Sequence, residues 1–125
     1  IAYTGTWYQV TDQGAREGNY LESSATALFI YTLAKAINKG YIGNEYIEPT
    51  QKAFDGMVKT FTRLEEDGSY TITNCCAVAG LGGDSKRYRD GSFEYYISEP
   101  IIENDPKSVG SFILAAIEYE KMTKK

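Results

Sequence analysis

The sequence contains no histidine. That absence excludes a Ser-His-Asp or Cys-His arrangement, HExxH zinc chemistry and any imidazole general base within this chain. Cysteine is scarce too, since the two thiols, Cys75 and Cys76, are sequence neighbours. A bond between adjacent residues would strain the peptide, and two thiols are too few for a zinc site, so both read as free. They leave the redox compartment open. No apolar run reaches membrane-spanning length, and no charged-then-apolar leader opens the chain, so no membrane partner is expected. A basic run is missing as well. Lys and Arg number 13 against 17 Asp and Glu, a net charge of −4, which argues against the phosphate-neutralising surface that nucleic-acid binding needs. The GLGG at 80–83 lacks both the strand-to-helix GxGxxG context and a P-loop Lys-Ser/Thr, so it reads as tight turns.

What is present describes a soluble folded domain: 125 residues, 42% hydrophobic and 24% charged. That length suggests at most one domain with a modest core. Residue 1 is Ile rather than Met, which predicts a processed product or a piece of something longer.

The stretch GTWYQVTD, residues 5–12, partly alternates and predicts an extended segment, followed by a polar, Gly-rich loop. A helix is predicted from Tyr20 or Leu21 to Asn38. Leu21, Ala25, Leu28, Phe29, Thr32 and Ala36 form one stripe, and Ile30, Leu33 and Ile37 a second, so it should pack on more than one face. Lys39 and Gly40 close it. A second, amphipathic helix is predicted over 45–64, with Ile47, Phe54, Met57, Val58, Phe61 and Leu64 dry and Lys52, Asp55, Lys59 and Arg63 wet. Pro49 is tolerated in its first turn. Asp67-Gly68 marks a turn, and Tyr70, Ile72 and 75–78 predict short strands around Asn74. Residues 79–92 read as a long surface loop. FEYYISEP reads as a short helical or irregular stretch, and IIENDPK as a linker. A last helix is predicted over 108–121, with Val109, Phe112, Ile113, Ala116 and Ile117 as its apolar stripe.

The predicted architecture is mainly α, with αα-hairpins packed side by side and short strands in the loops. Three helices cannot cover one another fully. The chain should therefore expose an apolar face or self-associate through it, giving a homo-oligomer.

The chemistry-bearing residues are few. Eleven Tyr and 14% aromatics are high, and most read as packing. Trp7, the single Trp, is either a core or rim packer or a platform for a sugar ring. Two carboxylates at a suitable separation would support glycosidic acid–base chemistry, and Asp12, Asp90, Glu94, Glu103 and Asp105 lie outside the helices. No spacing among them selects a pair, and caps and solvated turns account for each. Glu22 is either a partner of the first-helix dipole or a cleft residue. Lys86, Arg87, Arg89 and Lys107 form a solvated loop or converge on an anionic group such as a uronate carboxylate.

The segments GTWYQVTD, GNYLESSATALFIYTLAKAINKGYI, CCAVAGLGG and RDGSFEYYISEPIIENDPKSVGSFILA, in that order, resemble glycoside hydrolase family 105. These are the unsaturated rhamnogalacturonyl hydrolases, related to the family 88 unsaturated glucuronyl hydrolases. One departure is KSVG, where the family pattern favours Lys-Gly-Val-Gly; Ser108 would then alter the turn or cap the last helix. The resemblance implies an (α/α)6 toroid, of which residues 1–125 form one partial domain at the carboxyl-terminal end.

It also implies a bacterial enzyme of the cytoplasm or periplasm, acting on Δ4,5-unsaturated uronic-acid oligosaccharides from pectin lyases. An aspartate protonates the vinyl ether while water adds to the neighbouring carbon, and the hemiketal opens. No metal or organic cofactor is implied. The catalytic Asp, the active-site His and an Arg-Gly-Asn-x-Trp element belong upstream of GTWYQV, so no catalytic residue is assigned here. Trp7, Gln9, Arg89, Tyr95, Asn104 and Lys107 are the residues expected at the wall or rim of the substrate site. A non-catalytic carbohydrate-binding or assembly module built from the same hairpins is the alternative; a different α/α toroid enzyme leaves the motif order unexplained.

Overall fold

A computed structural model describes residues 1–84 and 86–124; Ser85 of the Gly-rich loop and Lys125 of the basic tail lie outside the described residues. In chain order the elements are α1 (Ser23–Asn38), a 3-10 turn (Asn44–Tyr46), α2 (Ile47–Phe61), β1 (Thr62–Leu64), β2 (Tyr70–Ile72), β3 (Cys75–Cys76), α3 (Phe93–Ser98), β4 (Ile101–Ile102) and α4 (Pro106–Thr123).

The first helix starts at Ser23, capped by the side chain of Glu22, which accepts from the Ala25 N–H. It ends as the sequence predicts. Gly40 takes the left-handed conformation at φ +71°, its N–H bonds to Ile37 O, and the Tyr41 N–H bonds to Ala36 O. That pair of bonds satisfies two orphan carbonyls and stops the helix.

The second helix stops at Phe61 rather than Leu64. Thr62–Leu64 pairs antiparallel with Tyr70–Ile72, with Thr62 opposite Ile72 and Leu64 opposite Tyr70. The intervening turn is set by Asp67, which accepts from the Ser69 N–H and hydroxyl, and by Gly68 at φ +86°. A hairpin needs two arms, and this one draws its first arm from what periodicity assigned to a helix. The predicted linker 101–107 is structured as well. Ile101 and Ile102 pair with Cys76 and Cys75, and Asp105 and Pro106 open α4, two residues before the expected start.

The core joins α1, α2 and α4 through Ala27, Ile30, Ala53, Met57, Phe61 and Ala115, with Trp7, Leu21, Tyr31, Phe54 and Phe112 packed around them. A second cluster of Ala34, Ile37 and Met122 lies toward the helix ends. Phe54 stacks on Tyr119, ring centroids 3.8 Å apart.

Helices α1 and α4 run parallel. The Ser23 and Ser108 hydroxyls bond at 2.7 Å near the amino ends, and the Asn38 amide reaches Glu118 O and Oε2 toward the carboxyl ends. The buried side of α4 is Ser108, Ser111, Ala115, Glu118 and Met122, not the predicted stripe. Small side chains let the two backbones approach closely, and packing then selects for size rather than hydrophobicity. Ile113 and Ile117, from the predicted stripe, stay 55% and 46% exposed on the opposite side. On α1 the buried set includes Ile30 and Ile37, while Leu28, Phe29 and Thr32 face outward. Ser108 does not cap α4; that role belongs to Asp105, which accepts from the Lys107 N–H.

The amino-terminal segment crosses α2 at Gly56, where an added Cβ would lie 1.9 Å from Thr4 O. Glycine inside a helix costs about 1 kcal/mol relative to alanine, and here the close crossing requires it. Gly56→Ala is therefore expected to destabilise by on the order of 2 kcal/mol by overpacking, despite its better helix propensity, measured by urea unfolding. Ser108→Ala would leave the buried Ser23 hydroxyl without its partner and cost about 1–2 kcal/mol in the same assay.

Candidate functional site

The extended stretch around Trp7 is pinned by backbone bonds. The Gln9 N–H donates to Tyr20 O, the Glu22 N–H to Trp7 O, and the Trp7 N–H to the Thr26 hydroxyl at 3.1 Å. Asn19 fastens the following loop, its amide donating to Val10 O and Gln13 O while its oxygen accepts from the Val10 and Tyr20 N–H groups. Beyond α1, Asn74 takes the left-handed conformation at φ +59° and donates to Leu21 O. These bonds bring the extended stretch, the start of α1 and β3 together.

Where they meet is a cleft of about 290 Å³ lined by Gln9, Glu22, Ser24, Ala25, Leu28, Cys76, Ala79 and Lys107. Gln9 Nε2 donates to Cys76 Sγ at 3.3 Å. Lys107 Nζ donates to Ala77 O at 2.9 Å and Asp105 Oδ1 at 2.8 Å, and the bond to Asp105 raises the ammonium pKa further. Its third N–H remains for another acceptor. Glu22 is 1% exposed and accepts from the Ser24 hydroxyl, the Ala25 N–H and the Cys76 N–H at 2.7, 2.7 and 3.0 Å. Both thiols are free and buried, and burial pushes Cys75 up to about 11. Cys75 is therefore not an activated nucleophile. Larger hollows along α2 near Tyr3, Glu48 and Lys52 bring none of the sequence candidates together.

Of the six expected wall residues, Gln9 and Lys107 share this cleft. Arg89 and Tyr95 sit beside its far end: the Gly80 N–H donates to the Tyr95 hydroxyl at 3.2 Å, and Arg89 Nε lies 3.6 Å from Glu99 Oε1. Trp7 lies outside the cleft lining, its ring tilted against Phe29 at 5.1 Å between centroids. Asn104 is in the left-handed conformation at φ +52°, and its side chain accepts from the Ile72 N–H at 2.9 Å.

The basic residues do not converge on an open anion site. Arg87 and Arg89 converge on Glu99, whose side chain has no exposed surface, and Lys107 pairs with Asp105. Most of the candidate carboxylates are engaged in turns, pairs or a cap. Asp90 accepts from the Ser92 N–H, Glu94 pairs with Arg16, Glu103 with Arg63, and Asp105 caps α4; Asp12 is exposed.

Sequence reasoning named Glu22 without fixing its role and missed Glu99. The signal for Glu99 was a carboxylate just before Pro100 in a segment following three nearby cations. Burial pushes the Glu99 carboxyl up, but bonds from Tyr95 and Arg87 outweigh that and hold it below the ordinary glutamate value. The folded pKa is therefore the lower one. The pairing contributes stability above about pH 4.3 and loses it as pH falls through the depressed value. Amide exchange at Gly82 and Arg89, which bridge across the loop, is expected to stay level from about pH 8 to 5 after correction for intrinsic rates, then accelerate in acid. Glu99→Gln should speed tryptic cleavage after Arg87 and Arg89 at neutral pH.

Known proteins match this chain over nearly its whole length. The family model for Glycosyl Hydrolase Family 88 matches residues 2–123. The structure of a family 105 glycoside hydrolase from C. acetobutylicum superposes with a TM-score of 0.91 at 45% identity, covering 94% of this chain and 32% of that one. A possible family 105 member from Klebsiella pneumoniae superposes at 0.71 with 27% identity, covering 98% of this chain and 27% of that one. The 24.9 kDa protein in the picA locus of Rhizobium radiobacter is 37% identical over 118 residues, which are 91% of this chain and 51% of that protein. The chain thus spans about half the length of the curated relatives it matches and under a third of the C. acetobutylicum and Klebsiella proteins. Parallel α1 and α4 with α2 returning alongside belong to the α/α toroid of those hydrolases, and the chain belongs to glycosyl hydrolase family 88.

Proposed function

We propose that this chain supplies the carboxyl-terminal wall of an α/α-toroid hydrolase acting on Δ4,5-unsaturated uronyl oligosaccharides. The reaction is hydration of the C4–C5 double bond: a proton adds to the vinyl ether, water adds to the neighbouring carbon, and the hemiketal opens to release the sugar. Family membership over residues 2–123 supports this. One observation carries the division of labour: the one carboxylate lining the cleft among the described residues, Glu22, already accepts three hydrogen bonds, and the chain has no His. The wall therefore binds and orients, while proton transfer belongs to residues outside this chain.

Gln9 and Lys107 are the polar groups best placed to meet a sugar. Lys107 suits a uronate carboxylate, and a charge-assisted bond of that kind is worth about 1.5–3 kcal/mol. Arg89, Tyr95, Trp7 and Asn104 then act behind or beside the wall. A binding module without catalysis is the second reading. The same observation favours it, because a cleft with no unengaged carboxylate still retains a donor amide and an ammonium.

The purified chain is expected to leave the ultraviolet absorbance of an unsaturated uronyl disaccharide unchanged; loss of that absorbance would refute the assignment of catalysis elsewhere. Titration followed by calorimetry or NMR is expected to show weak saturable binding, reduced about tenfold or more by Lys107→Met. Absence of saturation would remove the binding reading. We also propose that the isolated chain self-associates through Ile113, Leu114 and Ile117, because these neighbouring apolar side chains stay about half exposed and a second copy can cover them. Light scattering should show association that an I113E/I117E double substitution abolishes.

A further inference from the structure

Building on that reading of the cleft, we propose that Glu22 is a positioning residue: through the Cys76 N–H it fixes the short segment on which both Gln9 and Lys107 hang. Three observations carry this. The first is the choice of residue. Asp, Asn and Ser are the favoured helix caps because their short side chains reach the first-turn N–H groups. Glu22 is one methylene longer, and its Oε2 takes the Ala25 N–H while Oε1 reaches out to the Cys76 N–H and the Ser24 hydroxyl. An aspartate would serve the helix; it would not reach β3.

The second is burial. Glu22 is 1% exposed, and burying a carboxylate is costly unless its oxygens are satisfied. Three donors and the positive end of α1 offset that cost. The carboxylate oxygens are thereby held toward the first turn of α1 and β3.

The third is what the anchored segment holds. Cys76 Sγ accepts from Gln9 Nε2, Ala77 O accepts from Lys107 Nζ, and the Ala77 N–H donates to Pro100 O. The two side chains the cleft offers to a ligand are therefore registered on residues 76 and 77, and the Cys76 N–H ties those residues to the cap of α1, two residues beyond the bond from the Ser23 N–H to Asn74 O. Releasing the Cys76 bond would let both partners shift together.

Glu22→Asp separates the two roles, because it keeps the charge and the cap while withdrawing the reach. Helical circular dichroism should match the parent. The Cys76 amide should exchange at least about tenfold faster, the side-chain amide resonances of Gln9 should move, and affinity for an unsaturated uronyl disaccharide should fall about tenfold. A role in capping alone would leave the Gln9 resonances and the affinity unchanged, and that result overturns the proposal. Should Glu22→Asp fail to fold, the unsubstituted chain still decides. Its Cys76 amide is expected to be as protected as those of α1, and exchange as fast as at Gly80 overturns the proposal. A parent chain that binds no disaccharide refutes the reading of the cleft instead, while the exchange and Gln9 measurements continue to test Glu22.

Discussion

The bond between the Ser23 and Ser108 hydroxyls sets the geometry on which the rest depends. It lies near the amino ends of α1 and α4, whose buried sides continue through small residues, Ala27 and Ala34 on one and Ser111 and Ala115 on the other, and it fixes the longitudinal register of two parallel helices. Each serine follows a residue that lines the cleft. Glu22 precedes Ser23 and Lys107 precedes Ser108, so levelling the helix starts puts both residues on one cleft. A slip of one turn, about 5.4 Å, would carry Lys107 out of reach of Ala77 O. Small side chains at a helix interface are thus a condition for the site and not only for packing.

Charge is distributed in keeping with that arrangement. Glu94, Glu103 and Asp105 meet cations or helix amides, and Arg87 and Arg89 of the long loop close on Glu99. An exposed pair such as Arg16–Glu94 adds little to stability. The Glu99 pair differs because one partner is removed from solvent, so the loop leading away from Ala79 is held at its far end. The cleft is left with an amide and an ammonium that retain unused hydrogen-bonding capacity. That inventory is the basis of the binding role proposed for the cleft.

Some of this was legible in the sequence and some was not, for physical reasons. The end of α1 was legible because Lys39-Gly40 is a local signal, and the left-handed glycine satisfies carbonyls from the same turn. The wet face of α2 was legible because Lys52, Asp55 and Lys59 are charged, but the dry face was legible only in part: Met57 and Phe61 are buried while Val58 is exposed, and Thr50, Ala53 and Gly56 take the buried positions beside them. The buried side of α4 was not, since Ser108, Ser111 and Ala115 carry no hydrophobic signature; what selects them is the distance between two backbones, a tertiary quantity. The stop at Phe61 was hidden for a similar reason, because Leu64 continues the helical spacing while the Asp67-Gly68 turn recruits it into a strand. Of the wall residues, Gln9 and Lys107 meet in one cleft because each lies beside a pinned element. Asn104 instead supplies a left-handed turn and an acceptor for Ile72. A motif position alone does not separate these two uses of a polar side chain.

The outward stripes follow from the same geometry. A helix that packs through small residues on one side has its larger apolar residues left for the other, as Ile113 and Ile117 are on α4 and Leu28 and Phe29 on α1. Burying a side chain of that size is worth about 1.5–3 kcal/mol, so each uncovered face favours a neighbour. In the C. acetobutylicum hydrolase this chain corresponds to 32% of the length, and a ring offers every inner helix two flanks to pack against. The arrangement that seats Glu22 beside Lys107 and the one that leaves Ile113 uncovered are therefore consequences of one choice. Close parallel packing organises the cleft and leaves the larger apolar side chains of α1 and α4 facing outward.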